Sequence, residues 1–414
     1  MTFSFPQYSR GIRPFMDGSE ISERLGGVNQ SGVRNHNERL LMSMLQRSGG
    51  MAGSDMARRA GLSPQTVSVI LRKLEKDGLL QRGDPVRGKV GKPSIPMQLR
   101  PDGIFAFGLK IGRRSADLLI LDFVGQVRAQ TRKTYEYPVP DDIFEFLRRG
   151  MPALARKLTP DQRDRLCGIG IATPLELWKW HKLAGAPTES FRSWKDVDFR
   201  KSVAEFSPLP VYVGNDATAA CRAEHLYGAD KGLRDYAYFF VGSFVGGGVV
   251  LNDTVFQGNQ GNAGAFGAMR STGALGESRQ LVDVASIHLL ESRLRDAGVD
   301  PVALWKAPHN WEPLSRYVDP WLGQTAQELS KAALSVCAVI DFQGVVIDGA
   351  FPEGVREELV ERVNRYLASQ DMRGLIAPVV VAGSVGANAR GIGAACGPIS
   401  SQLLLDKNAG LSVF

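Results

Sequence analysis

The spacing Ala57-x3-Gly61-Leu62-Ser63-x2-Thr66-Val67-Ser68 constrains this chain more than any other feature. A glycine closes one short helix, and a Ser-Pro pair opens the next only two residues later. Two helices joined by so tight a turn form a helix-turn-helix. Ser63 offers its hydroxyl as an N-cap and Pro64 suits the first helical position, where no amide hydrogen is needed. Val67, Ile70, Leu71 and Leu74 then recur on one helical face until Asp77-Gly78. The middle helix is expected over residues 54–60 with Ser54 as its cap. Upstream, Leu40, Leu41, Met44 and Leu45 predict a helix that starts behind Asn35, has Glu38 three residues on, and stops at Gly49-Gly50. Downstream, strand-like segments at 79–82 and 95–99 bracket a Gly/Lys/Arg/Pro loop, 83–94, with the character of a wing. Residues 1–31 lack apolar periodicity and read as a loose arm. Pro101-Asp102-Gly103 marks a boundary, so three segments are expected: an arm (1–31), a winged helix-turn-helix domain (32–100) and a body (101–414).

Charge is concentrated where that pattern lies. Residues 32–100 hold thirteen lysines and arginines against five acids, a net +8, while the whole chain carries +7. A local positive field of this kind is what a nucleic-acid reader needs. A helix-turn-helix presents the start of its second helix to the major groove, where base edges distinguish all four pairs. Gln65, Thr66, Ser68 and Arg72 occupy that stretch. Arg58, Arg59, Lys73 and Lys76 are expected on phosphates, which orient without specifying. Arg87, Lys89 and Lys92 stand among small residues in the wing, a pattern suited to a narrow minor groove. The expected partner is double-stranded DNA. The competing reading is a charged oligomerisation module.

Beyond residue 101 the pattern mixes strands, helices and glycine-rich turns, which predicts an α/β body of two lobes. Expected strands lie at 104–111, 116–121, 168–172, 211–213, 236–241, 247–251, 345–348 and 379–381. Expected helices lie at 143–158, 217–227, near 277–297, at 323–340, at 352–369 and after Gly386. Val211 to Val213 are expected to be buried. Cys167, Cys221, Cys337 and Cys396 form no CxxC pair and suggest neither a disulfide framework nor a thiolate metal cluster. No secretion signal opens the sequence, and no apolar run reaches the roughly 20 residues that span a bilayer. A soluble cytoplasmic protein is expected. His181 and His225 are isolated, and packing roles are expected for them.

Several motifs taken together resemble the ROK family (repressors, open reading frames and kinases), specifically its DNA-binding repressor branch. They are Asn29-Gln30-Ser31-Gly32-Val33-Arg34, the helix-turn-helix, Val90-Gly91-Lys92-Pro93-Ser94, Gly168-Ile169-Gly170-Ile171-Ala172-Thr173-Pro174, Val213-Gly214-Asn215-Asp216-Ala217, Gly246-Gly247-Gly248 and Gly261-Asn262-Ala263-Gly264. The resemblance implies an actin-like sugar-kinase body that forms homodimers or homotetramers. It also implies a sugar-binding role for Asn215 and Asp216, with the carboxylate as general base in kinases. Asp216 can equally be read as the cap of the helix that follows. Where the family's kinases carry an acid, two glycines and a Thr, this chain has Lys110-Ile111-Gly112-Arg113-Arg114, and Phe244 replaces a glycine of the second phosphate loop. A lysine cannot perform an aspartate's metal-linked work in phosphoryl transfer. Further sugar contacts of the family fall on Ala265, Ala268 and Val282, and residues 269–279 contain neither Cys nor His for the family's zinc. We therefore expect no catalytic residue, no cofactor and no metal.

Three functions remain open on the sequence. The first is a repressor of carbohydrate-related genes whose body senses a small sugar, with Glu176, Trp178, Trp180 and His181 beside Asn215 and Asp216. The second is a bifunctional sugar kinase, against which Lys110 and Arg113 argue. The third is a regulator whose body only oligomerises.

Overall fold

The computed structural model describes residues 30–85, 95–181, 187–272, 276–306 and 309–406. Arg87, Lys89 and Lys92 of the expected wing lie outside them.

Three helices and a small hairpin make up the reader: α1 (Gln30–Ser48), α2 (Gly53–Ala60), α3 (Pro64–Lys76), β1 (Leu80–Arg82) and β2 (Met97–Leu99). The turn chemistry acts as its residues dictate. Gly61 closes α2 in the left-handed region at φ 66°, and Ser63 Oγ accepts from the Thr66 amide at 3.1 Å. Val67, Ile70, Leu71 and Leu74 are buried, as are Met56, Leu41 and Leu45 of the preceding helices, and such an apolar stripe is what holds a helix to a core. Strands β1 and β2 pair antiparallel with Leu80 opposite Leu99, and Met51 bridges to Met97.

Two expected caps are corrected. Helix α1 begins at Gln30, so Asn35 lies inside it. Glu38 is no capping partner; it is buried on the same stripe as Leu41, Met42 and Leu45. Helix α2 begins at Gly53 behind Ala52, which places Ser54 in the first turn.

The chain divides into two compact units, the described residues up to Gly214 with Ala394–Asp406, and Asn215–Gly393. The first contains the reader and a five-stranded sheet in the order β5-β4-β3-β6-β7, from β3 (Phe105–Ile111), β4 (Ser115–Asp122), β5 (Val127–Thr134), β6 (Leu166–Thr173) and β7 (Val211–Asn215). Strands β3, β4 and β5 are antiparallel neighbours, and β6 runs parallel to β3. Helix α4 (Pro140–Ala155) buries Ile143, Leu147, Met151 and Leu154 on this sheet. Strand β7 is an edge, and Val213 is 42% exposed rather than buried.

The second unit builds a sheet in the order β10-β9-β8-β13-β14. Its elements are α5 (Asp216–Tyr227), β8 (Tyr236–Val241), β9 (Val245–Leu251), β10 (Thr254–Phe256), a small ribbon of β11 (Arg270–Thr272) and β12 (Ser278–Gln280), α6 (Ile287–Asp296), α7 (Ser315–Ile340), β13 (Gly344–Gly349), α8 (Glu353–Leu367) and β14 (Val379–Ala382), while the last helix, α9 (Ala389–Leu403), begins in this unit and passes into the first at Ala394. The helix expected near 277–297 is therefore shorter, with a strand and a turn before it. Trp321 donates from Nε1 to Ser286 O at 3.0 Å and packs edge-on to Trp311.

Small residues set the closest packing. Within the first unit, a Cβ on Gly170 of β6 would stand 1.7 Å from Ala394 O, and Gln402 donates from Nε2 to Cys167 O at 2.8 Å. The same C-terminal segment meets the reader: Arg39 Nη2 donates to Ser401 O at 3.0 Å and the Leu405 amide to Ser43 Oγ at 2.8 Å. Gly170→Val should therefore lower the denaturation midpoint by an amount worth about 3 kcal/mol or more, as overpacking against rigid backbone demands. An unchanged urea midpoint would contradict the packing described.

Candidate functional site

Helix α3 presents Gln65, Ser68, Val69 and Arg72 to solvent, opposite its buried stripe. These positions follow i, i+3, i+4 and i+7, so they form one outward line beginning at the helix start. Gln65 and Ser68 make no side-chain hydrogen bond among the described residues. Arg72 lies back along its helix, donating from Nε to Ser68 O at 3.2 Å. Thr66 is less free than expected, because its hydroxyl is 2.8 Å from Ser63 Oγ at the cap. Val69, 48% exposed, is not among the residues expected from sequence, because an apolar side chain carries no hydrogen-bonding signal. Its position between Gln65 and Arg72 is the signal, and an apolar group on such a face suits a thymine methyl.

The expected phosphate contacts separate into two kinds. Arg58, Arg59 and Lys76 are exposed, with Arg58 Nη2 resting on Asp55 at 2.7 Å. Lys73 does not stand free: its Nζ donates to both carboxylate oxygens of Glu38 at 2.7 Å. The acid is nearly covered, so a cation beside it is what permits its burial. Lys73 is thus a staple between α1 and α3.

In the body, Lys110 lies at the end of β3 and folds over the turn to β4. Its Nζ donates to Asp117 Oδ2 at 2.9 Å, Ser115 Oγ at 3.0 Å and Ser115 O at 3.2 Å. A Cβ on Gly112 would stand 2.6 Å from that ammonium. Arg132 donates to the other oxygen of Asp117. Burial alone would raise the Asp117 carboxyl, yet the Lys110 and Arg132 cations together hold it below the ordinary carboxylate value.

In the second unit the Asn-Asp pair is built into the start of α5. Asn215, not Asp216, is the N-cap: its Oδ1 accepts from the Ala217 and Thr218 amides at 2.9 and 3.1 Å. Asp216 instead takes Arg390 Nη1 on Oδ2 at 3.2 Å, and that guanidinium stacks over Phe240. The glycine run has a packing cause, since a Cβ on Gly246 would meet Ala217 and one on Gly248 would meet Cys221, both of α5. Phe244 packs edge-on to His288. Val282 is buried, while Ala265 and Ala268 are exposed. Glu176, Trp178, Trp180 and His181 lie in the first unit after β6. There Glu176 adopts φ 49°, its carboxylate meets Lys179, and Trp180 Nε1 donates to Leu175 O. His225 packs against Tyr236 and Asp253 O.

Sequence reasoning also missed two buried acids near β13. Asp348 accepts from Tyr238 Oη, Gly386 N, Gly349 N and Arg356 Nη1. Burial, with the Glu224 carboxylate nearby, raises its pKa against the pull of those donors. Glu224 is held by Lys231 and the amides of Ser384 and Val385. Among the described residues, no three His, Cys, Asp or Glu side chains are grouped to hold a metal ion, and no helix is long and apolar enough to cross a membrane.

The Asp117 cluster sets a pH dependence. A carboxylate with a depressed folded pKa adds stability above its unfolded value of about 3.9, and that stability is lost as pH falls through the folded value. Asp117→Asn should unfold at lower denaturant than the parent at neutral pH, with the gap closing below about pH 4. A gap that stays constant down to pH 3 would contradict the ion pairing.

Comparison with known proteins agrees with this geometry. Residues 34–81 match the winged helix-turn-helix DNA-binding family model, and residues 106–279 match the ROK family. The chain is 26% identical to the uncharacterized protein y4fQ of Sinorhizobium fredii, over 87% of this chain and 90% of that one. It is 22% identical to the xylose repressor of Bacillus subtilis over 58% of this chain and 62% of the repressor. It is 25% identical to the DNA-binding transcriptional dual regulator NagC of Escherichia coli over 58% of this chain and 60% of NagC. The match thus spans about three fifths of each of these two regulators. Among solved structures, a ROK family transcriptional regulator, a homolog of the E. coli MLC protein, superposes with a TM-score of 0.62 at 19% identity, over 90% of this chain and 96% of that one. A ROK family glucokinase from Streptomyces griseus gives 0.53 at 19% identity over 70% of this chain and 98% of its own. Both share the fold. The chain therefore carries a ROK family domain behind an N-terminal winged helix-turn-helix.

Proposed function

We propose that this protein is a cytoplasmic, sequence-specific DNA-binding transcriptional repressor whose sugar-kinase-like body performs no phosphoryl transfer. The observation that carries the reading is the outward line Gln65, Ser68, Val69 and Arg72 on a capped helix, in a segment of net charge +8. Similarity to the xylose repressor and NagC supports the same role and suggests carbohydrate-related target genes. Operators are read as two half-sites by a two-fold assembly, a homodimer or homotetramer. Gln65 contacts a base edge, Arg58 and Arg59 contact phosphates, and Arg87, Lys89 and Lys92 reach the minor groove. Lys73 supports the fold of the reader rather than touching DNA.

The kinase alternative is disfavoured by two charge arrangements. Lys110 fills the turn where a phosphate loop needs open backbone amides. A general base must accept a proton from an attacking hydroxyl, but Arg390 already occupies Asp216 Oδ2. Asn215 Nδ2 and Asp216 Oδ1 remain available to sugar hydroxyls, which keeps an effector role open to this pair. The burial of Val282 and the small side chains of Ala265 and Ala268 support the rival idea that the body only oligomerises.

Two outcomes are expected. Gln65→Ala should cost about 1–3 kcal/mol at one operator position and relax discrimination there, whereas Arg59→Ala should weaken all sequences alike and reduce the salt slope by about one. Equal loss on every sequence for Gln65→Ala, read by anisotropy on an operator selected from random duplexes, would remove the recognition-helix assignment. ATP, Mg²⁺ and a broad sugar panel should yield no ADP above background. Sugar-dependent ADP release abolished by Asp216→Asn would establish a kinase instead.

A further inference from the structure

The recognition helix does not hang from a loose tether; its C-terminal end is pressed against the first lobe. Helix α3 ends at Lys76 with Asp77 as its C-cap, and Gly78 turns the chain in the left-handed region at φ 73°. The next contact is backbone on backbone: a Cβ on Gly103 would lie 3.1 Å from Gly78 O and 3.2 Å from Leu79 Cα. Arg165, in the turn before β6, closes this joint from the lobe side. Its Nη1 donates to Gly103 O at 3.0 Å and to Asp77 O at 3.3 Å. A side chain on Gly78 would stand 2.6 Å from Arg165 Nη2, so a glycine there both makes the turn and admits the guanidinium. Asp77 O belongs to the orphan carbonyls of a helix end, where the dipole favours a cation. Arg165 is anchored in turn, since its own carbonyl accepts the Phe105 amide at the start of β3, at 3.0 Å.

From this geometry we infer that Arg165 is a positioning residue for DNA recognition: it fixes the direction of the recognition helix relative to the body and thereby the half-site spacing the assembled protein accepts. The inference rests on the DNA-reading assignment above. Arg165 touches no DNA in this account. It acts by holding the α3 end, so it matters only when two readers must engage one duplex in register, half-sites being about one helical turn or a multiple apart.

The test uses the full chain. A half-site is defined by selection from random duplexes, and duplexes carrying one copy, or two copies at stepped spacings, are titrated by fluorescence anisotropy. The parent should bind best at one spacing. In Arg165→Ala, affinity at that spacing should fall about tenfold, the size of one lost charge-assisted hydrogen bond, while single half-site affinity stays within about twofold. Arg165→Lys keeps a cation able to reach a carbonyl and should recover part of the spacing preference. An unchanged spacing profile in Arg165→Ala overturns the inference, as does an equal loss on single and paired half-sites. Should Arg165→Ala fail to fold, Arg165→Lys carries the test, since a spacing preference identical to the parent's would overturn the role of the guanidinium fork. A parent protein that enriches no sequence overturns the DNA-reading assignment itself, a result distinct from either.

Discussion

Backbone-to-backbone contact between Gly78 and Gly103 is the constraint on which the regulatory reading of this molecule depends. A recognition helix can report the state of a body only if its end is fixed to it. Here no side chain separates the two glycines. Helix α1 is tied a second time, through Arg39 and Ser43 to the C-terminal segment. The reader and the first sheet therefore share one compact unit. A ligand that favours one arrangement of the body can bias DNA binding only through differential affinity for that arrangement, and a rigid joint is what lets such a bias reach α3.

In our account, the chain has kept the framework of a sugar-kinase fold and filled its chemical positions with its own side chains. Lys110 brings a cation where a phosphate loop would gather backbone amides, and Asp117 and Ser115 accept its hydrogen bonds. Arg390 does the corresponding thing to Asp216. Gly246 and Gly248 persist for a different reason, since α5 approaches β9 too closely for any side chain. A glycine run read from sequence cannot distinguish a cradle from a close packing. The neighbours decide, and here they are Ala217 and Cys221.

How far the sequence could be read follows from the range over which each feature acts. Ser63, Pro64 and Gly61 act within one turn, so the helix-turn-helix was legible to the residue at that point. Two other helix starts were not: α1 begins five residues before Asn35, and α2 begins behind Ala52, which offers no side-chain cap. Strand β5 escaped notice because, as a polar edge, it buries only Ala129. Val211 to Val213 look like a core strand in composition, yet β7 is also an edge. The site divides the same way. Asn215 and Asp216 were found from their motif, but which of them caps the helix depended on a backbone conformation, and Arg390, 174 residues away, could be brought to Asp216 only by the fold. Glu38 and Lys73 were assigned by residue type to a cap and a phosphate, whereas long-range packing joins them in one buried pair.

The most direct test of the central claim is fluorescence anisotropy of the full chain on duplex DNA from upstream of its own coding sequence. Competing unlabelled DNA of shuffled sequence is added at fixed salt, with and without a panel of sugars and sugar phosphates. A complex is expected that the shuffled competitor cannot displace at concentrations where the specific duplex does. Release by one compound would place sensing in the body. Equal displacement by specific and shuffled DNA, across the upstream region and across duplexes selected at random, would mean that the outward face of α3 reads no sequence and would contradict a repressor role.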